Sequence, residues 1–105
     1  DNGLKYEVLH NDKADLAVAY TTEGQLSKNE FVILIDDKHV WPPYNIAPVI
    51  KQDLLQKNPQ IKDILNKVTK KIDNKTIIKL NSQVDIDKKE YTQVAKDFFS
   101  AELSK

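Results

Sequence analysis

The sequence predicts an α/β protein, and three observations carry that expectation. Two short unbroken apolar runs, Leu16-Ala17-Val18-Ala19-Tyr20 and Phe31-Val32-Ile33-Leu34-Ile35, are bounded by polar residues, the pattern of a strand buried on both faces. From Pro59 onward the period changes: Ile61, Ile64, Leu65, Val68 and Ile72 recur at the i, i+3, i+4, i+7 spacing of an amphipathic helix. Between these two regimes lies Trp41-Pro42-Pro43-Tyr44-Asn45-Ile46-Ala47-Pro48, which holds three of the four prolines and the single tryptophan. Proline fixes φ and donates no backbone hydrogen bond, so this stretch predicts a rigid extended turn rather than a helix interior or a central strand.

Taken in order, Leu4, Tyr6, Val8 and Leu9 predict the end of a helix, broken at His10-Asn11-Asp12. Residues 16–20 predict a buried parallel strand, closed by the turn Thr21-Thr22-Glu23-Gly24. Residues 31–35, β-branched and apolar, predict a second and stronger strand, and Ala47-Pro48-Val49-Ile50 a third, short extended piece. The helix bearing Ile61 to Ile72 is entered through Asn58-Pro59, with proline at the first turn. Asp73 or Asn74 is predicted to cap the next helix, which carries Ile77, Ile78 and Leu80. Val94, Ala95, Phe98, Phe99 and Leu103 mark the last.

With 105 residues, 40% apolar and 30% charged, the chain is expected to form one soluble globular unit at most, around a modest core. Sixteen basic residues balance sixteen acidic ones and are interspersed with them, so no basic stripe points to nucleic acid. Cysteine is absent, which excludes a disulfide framework and a thiolate metal site. No apolar run approaches the roughly 20 residues of a membrane span, and no signal-peptide pattern is present. The start at Asp1, without Met, leads to the expectation of a trimmed or excised segment.

Motifs for covalent chemistry are wanting. His10 and His39 lack a second ligand at metal-binding spacing, so no metal site is expected. No serine lies in a nucleophile elbow, and Gly3 and Gly24, the only glycines, make no phosphate-cradling loop. Asp36-Asp37 resembles a carboxylate pair, but adjacent acids after a strand are the ordinary chemistry of a solvated turn. The chain is therefore not expected to be an enzyme or to bind a cofactor. The aromatics are more informative. Tyr20 closes one predicted strand and Tyr44 follows the Pro-Pro turn after the next, and ligands of open α/β sheets lie beyond the carboxyl ends of strands. Both rings are thus placed to face one cleft, where their negative faces would attract a quaternary ammonium, a cation that donates no N–H bond. Packing against a core is the competing role for both.

These residues also carry a family resemblance. Asp15-Leu16-Ala17-Val18-Ala19-Tyr20-Thr21-Thr22-Glu23-Gly24 resembles the D-x-x-x-x-Y-[ST]-T-D-G segment of the substrate-binding proteins of osmoprotectant ABC transporters, which bind glycine betaine, choline and carnitine. Residues 36–49 resemble their D-D-K-x-x-[FW]-P-P-Y-x-A-A-P-[VL] segment. Leu65-Asn66-Lys67, Leu80-Asn81-Ser82-Gln83-Val84-Asp85 and Val94-Ala95-Lys96-Asp97-Phe98-Phe99 resemble later family segments, so the likeness runs nearly end to end. The departures are Glu23 for Asp, Ile46 for Ala, Ser82 for Tyr, and the missing glycine at Lys70-Lys71.

The resemblance implies a two-lobed, type II periplasmic-binding-protein-like fold, present here only as its carboxyl-terminal part. Residues 1–22 would end the second lobe, 23–28 form an interlobe crossover, and 29–105 return to the first lobe. It implies that Tyr20 and Tyr44, twenty-four residues apart, belong to a tyrosine cage around a trimethylammonium group. The remaining cage tyrosines and the groups reading a ligand carboxylate would lie upstream of this chain. Trp41 would buttress Tyr44, and Thr21 and Asn45 are adjacent polar candidates for orienting the ligand. The implied partners are a small quaternary amine and an ABC permease, in an extracytoplasmic setting, membrane-associated through a lipid anchor or fusion to the permease. Unpaired strand edges in so short a chain also lead to an expectation of self-association or domain swapping. The alternative function is a small interaction or assembly module without a ligand of its own.

Overall fold

Helices form where the apolar period is helical and the ends are marked. The structure is a computed structural model that describes residues 3–103, so Asp1, Asn2, Ser104 and Lys105, at the outer ends of the expected segments 1–22 and 29–105, lie outside it. Helix α1, Leu4–His10, stops at Asn11, and Asp12 follows with a φ of 52°. A 3₁₀ turn covers Gly24–Ser27. Helix α2, Gln52–Lys57, carries no clear sequence signal; it ends at Asn58, which the following proline forces out of the helical region. Helix α3, Gln60–Thr69, begins directly after Pro59 and closes three residues before Ile72, the last of its predicted apolar series. Helix α4, Asn74–Asp85, is capped by Asp73, whose carboxylate accepts from the Thr76 N–H at 2.7 Å. That bond holds the Asp73 carboxyl below its ordinary range. Helix α5, Tyr91–Glu102, is the last helix of the described residues.

The predicted strands do not form among the described residues. Residues 16–20, 31–35 and 47–50 carry neither strand nor helix. A strand is defined by its ladder rather than by propensity, and no described segment lies beside these runs with paired backbone groups. The backbone bonds at their ends are local turns instead, Glu23 N–H to the Tyr20 carbonyl at 3.1 Å and His39 N–H to the Asp36 carbonyl at 3.2 Å. The sheet half of the α/β expectation is therefore absent from the described part of this chain, and its apolar runs are exposed: Val32 and Ile35 are each 87% accessible.

Surface and shape agree with that picture. A compact chain of this mass exposes roughly 6,000 Å², whereas this one exposes 9152 Å². Its radius of gyration is 17.0 Å, against about 13 Å for a compact domain of this length. Tyr6 and Val94 are the only buried apolar side chains among the described residues. Helices α3, α4 and α5 converge on an apolar cleft of about 340 Å³, lined by Val68, Leu80, Val84, Val94 and Phe98 among others.

Two docking points hold the middle of the chain in place. Gly24 is buried against α4 so closely that a Cβ there would meet the backbone of Asn81 and Ser82 at 2.7 Å. Asn81 Nδ2 donates to the Thr22 carbonyl beside it at 2.7 Å. The second point is Glu23. Lys5 Nζ donates to its Oε1 at 2.6 Å, Tyr6 Oη to its Oε2 at 2.5 Å, and the Tyr20 N–H to Oε1 at 3.0 Å. The Tyr6 ring packs on Phe31, with centroids 5.4 Å apart, and Lys5 Nζ lies 5.5 Å from the Tyr6 centroid.

The titration of this cluster follows from its geometry. Burial pushes the Glu23 carboxyl up, but bonds from Lys5, the Tyr20 N–H and Tyr6, with the Lys5 charge, outweigh burial and hold it below its ordinary value of 4.5. Burial first, and then the bond to Glu23 and its negative charge, push the Tyr6 phenol above its ordinary value of 10.0.

Two outcomes follow. Gly24→Ala should destabilise the chain by ~1–3 kcal/mol, because helix backbone rather than a flexible side chain must move; thermal unfolding by circular dichroism, with exposed Ser27→Ala as a near-neutral control, measures it. Glu23 has a depressed folded-state value, so its contribution is fully present above the unfolded value of 4.5 and is lost as pH falls through the folded one. Tyr6 has a raised value, so its contribution is present below pH 10.0 and is lost as pH climbs above it. Denaturant melts across pH should show both slopes in the natural chain, the acidic one reduced in Glu23→Gln and the alkaline one absent in Tyr6→Phe.

Candidate functional site

The turn that ends the first apolar run sets Tyr20. Its carbonyl accepts from the Glu23 N–H while its own N–H donates to the Glu23 carboxylate, so residues 20–23 are closed from both sides. The aromatic turn near residue 41 is held in the same manner by Asp36. One Asp36 carboxylate oxygen accepts from the Val40 N–H at 3.0 Å and the other from the Trp41 N–H at 2.9 Å. His39 between them takes a φ of 50°, in the left-handed region, which the tight reversal requires. Pro42 and Pro43 then carry the chain stiffly to Tyr44.

These two turns bring Tyr20 and Tyr44 together. Their ring centroids lie 5.8 Å apart with the planes inclined at 62°, an edge-on aromatic pair. Both rings are exposed, Tyr20 at 57% and Tyr44 at 80%, so the corner they make is open to solvent rather than filled by core. Rings in this arrangement offer electron-rich faces and phenolic oxygens to a cation.

The other sequence candidates fall elsewhere. Trp41 is exposed and makes no ring contact with Tyr44 among the described residues, so the expected buttress is replaced by the Asp36 carboxylate acting on the Trp41 backbone. The Thr21 hydroxyl accepts a long bond, 3.4 Å, from Asn74 Nδ2 and so faces α4. Asn45 is exposed beside Tyr44. Among the described residues no group of three metal-ligating side chains converges, and His10 and His39 stand apart from any such group.

Sequence reasoning missed the two residues that position the aromatics. The sequence places Glu23 in a plain turn and Asp36 in a solvated one. An acid three residues after Tyr20, and another five before Trp41, were the available signals, since short acidic side chains bond nearby backbone N–H groups. Nothing local signals the Lys5 and Tyr6 contacts, because their partner is seventeen or eighteen positions away.

Comparison with known proteins gives this geometry its context. A family model described as the substrate binding domain of ABC-type glycine betaine transport system matches residues 2–101. The chain is 35% identical over 96 residues to a carnitine transport binding protein of Listeria monocytogenes, covering 91% of this chain and 31% of that protein. It is 36% identical over 98 residues to a glycine-betaine-binding protein of Pseudomonas aeruginosa, covering 93% of this chain and 32% of that one. An ergothioneine transport permease/ergothioneine binding protein of Helicobacter pylori is 35% identical over 98 residues, covering 93% of this chain and 18% of its own length. The chain thus spans about a third or less of the curated relatives it matches. The match extends across the two segments that carry Tyr20 and Tyr44, and its members are transport binding proteins rather than enzymes. The chain belongs to the family of substrate-binding domains of ABC-type glycine betaine transport systems.

Proposed function

We propose that this chain supplies one wall of a site that binds a quaternary ammonium compound for import by an ABC transporter, with Tyr20 and Tyr44 making the cation–π contacts. The observation that carries this reading is the exposed edge-on tyrosine pair at 5.8 Å, in a chain whose family binds glycine betaine. Carnitine, glycine betaine and ergothioneine, named for the three relatives, share a trimethylammonium group, and choline carries the same group. That group is a diffuse cation without N–H donors, which an aromatic surface replaces water around at low cost. Asn45, beside Tyr44, and Thr21, beside Tyr20, are the polar side chains nearest in sequence for orienting a ligand.

In this reading the site is completed by a longer, two-lobed protein working with a permease outside the cytoplasm. Residues 1–22 close the second lobe, 23–28 cross over, and 29–105 belong to the first. The exposed apolar runs at residues 16–20 and 31–35 are then strands whose sheet neighbours lie in the rest of that protein, which accounts for the surplus surface. Closure of the lobes on the ligand would present the permease with a distinct shape. No helix of the described residues is long and apolar enough to cross a membrane.

A second reading is favoured by one observation, the exposed Val32, Leu34, Ile35 and Val49: the same runs make the chain self-associate as an assembly module when they find no sheet partner. Light scattering behind size-exclusion chromatography distinguishes the two. Concentration-dependent dimers or larger species, reduced by Val32→Lys, support self-association, and a monomer at all concentrations excludes it.

The ligand reading is tested by NMR titration of the chain with glycine betaine, choline and carnitine. A single wall should bind weakly but saturably, shifting the Tyr20 and Tyr44 ring resonances. Tyr44→Ala should weaken binding by about 2- to 30-fold, the equivalent of one aromatic contact of ~0.5–2 kcal/mol. The neutral choline isostere 3,3-dimethylbutan-1-ol should produce no comparable shift. Equal binding by Tyr44→Ala and the natural chain would overturn the assignment.

A further inference from the structure

We propose that Glu23 is the positioning residue of the tyrosine wall, tying Tyr20 to helix α1 so that the ring meets Tyr44 before any ligand arrives. This rests on the ligand reading above but concerns a residue that never touches the ligand. Glu23 uses its carboxylate in three directions. Oε1 accepts from the Tyr20 N–H at 3.0 Å and from Lys5 Nζ at 2.6 Å, and Oε2 accepts from Tyr6 Oη at 2.5 Å. Lys5 and Tyr6 are adjacent on α1, and Tyr6 is itself fixed by burial and by Phe31. The Tyr20 backbone is thereby referenced to one of the two buried apolar side chains of the described structure, although its ring is largely in solvent.

The charge on Glu23 is what makes this connection specific. A carboxylate accepts all three donors at once, whereas an amide of the same shape would turn an NH₂ toward one of them. Charge-assisted bonds of this kind are also shorter and stronger than neutral ones. The side chain is 10% exposed, so solvent competes weakly for it. From the other side the turn meets α4 through the uncharged amides of Asn74 and Asn81. Lys5 and Tyr6 are thus the titratable side chains bonded to Glu23.

A fixed Tyr20 lowers the ordering cost of binding. An exposed aromatic on a free loop would lose backbone and rotamer freedom when it closed on a cation, and a pre-set one has already lost it. Glu23 therefore acts on affinity without adding a contact. Tyr44 receives the corresponding service from Asp36 through the Trp41 N–H, but that carboxylate has no partner on a helix and makes only local bonds.

The test is an NMR titration of the 105-residue chain with glycine betaine, comparing the natural chain with Glu23→Gln, Glu23→Asp and Tyr6→Phe. Val94→Ala, which thins the buried packing of α5 away from the wall, serves as the control for general destabilisation. The expected result is a loss of at least 3-fold in affinity for Glu23→Gln, together with loss of the nuclear Overhauser contact between the Tyr20 and Tyr44 rings. Glu23→Asp, which retains the charge, should recover part of both, Tyr6→Phe should lie in between, and Val94→Ala should bind as the natural chain does when measured well below its melting temperature. If Glu23→Gln does not fold, Tyr6→Phe, which keeps the buried ring, carries the comparison. Unchanged affinity and ring contact in Glu23→Gln, or an equal loss in Val94→Ala, overturns the positioning role while leaving the ligand reading standing. No saturable response in the natural chain overturns both.

Discussion

A carboxylate that accepts from a lysine, a phenol and a backbone N–H at once ties together the pieces of chain that carry them, and Glu23 does so for helix α1 and the turn at residues 20–23. Gly24, the next residue, then presses against the α4 backbone at a distance that admits no side chain. The two neighbours divide the work: Glu23 binds electrostatically toward α1, and Gly24 packs sterically toward α4. Between them they hold a junction that the small apolar core could not hold alone. Tyr20 stands three residues from that junction, and its position is a consequence of it.

The described chain spends little of its apolar surface on itself. Tyr6 and Val94 are buried, while Val32, Leu34, Ile35 and Val49 stand in solvent, and the exposed area is roughly half as large again as a compact chain of this mass would show. Burial of apolar surface supplies most of the drive to fold, at about 25 cal/mol per Å². A polar junction at Glu23 and a backbone contact at Gly24 therefore carry more of the organisation here than they would in a well-filled domain.

What was legible in the sequence divides along the line between local and distant causes. The amphipathic spacing from Ile61 to Val68, the proline before α3 and the Asp73 cap all act within a few residues, and each element stands where they place it. Tyr20 and Tyr44, whose rings the structure brings together, are singled out by the motifs on which the family resemblance rests and by the stiffness of Pro42-Pro43. The strands were not recoverable in the same way. The runs at residues 16–20 and 31–35 have the composition of strands, but a ladder needs a partner, and composition says nothing of whether one lies alongside. Glu23 illustrates the converse: its helix partners Lys5 and Tyr6 are separated from it by a loop and a whole apolar run, so no window along the sequence contains both ends of the contact.

Tyr20 and Tyr44 present one edge-on aromatic surface to solvent. Their meeting depends on two independent carboxylate-closed turns, one at Glu23 and one at Asp36. The most direct measurement is a set of intermolecular nuclear Overhauser effects between the N-methyl protons of choline and the aromatic protons of this chain. Cross-peaks to both Tyr20 and Tyr44 are the predicted result. Cross-peaks to neither ring, or to Phe98 and Phe99 in the cleft between α3, α4 and α5 instead, would contradict it.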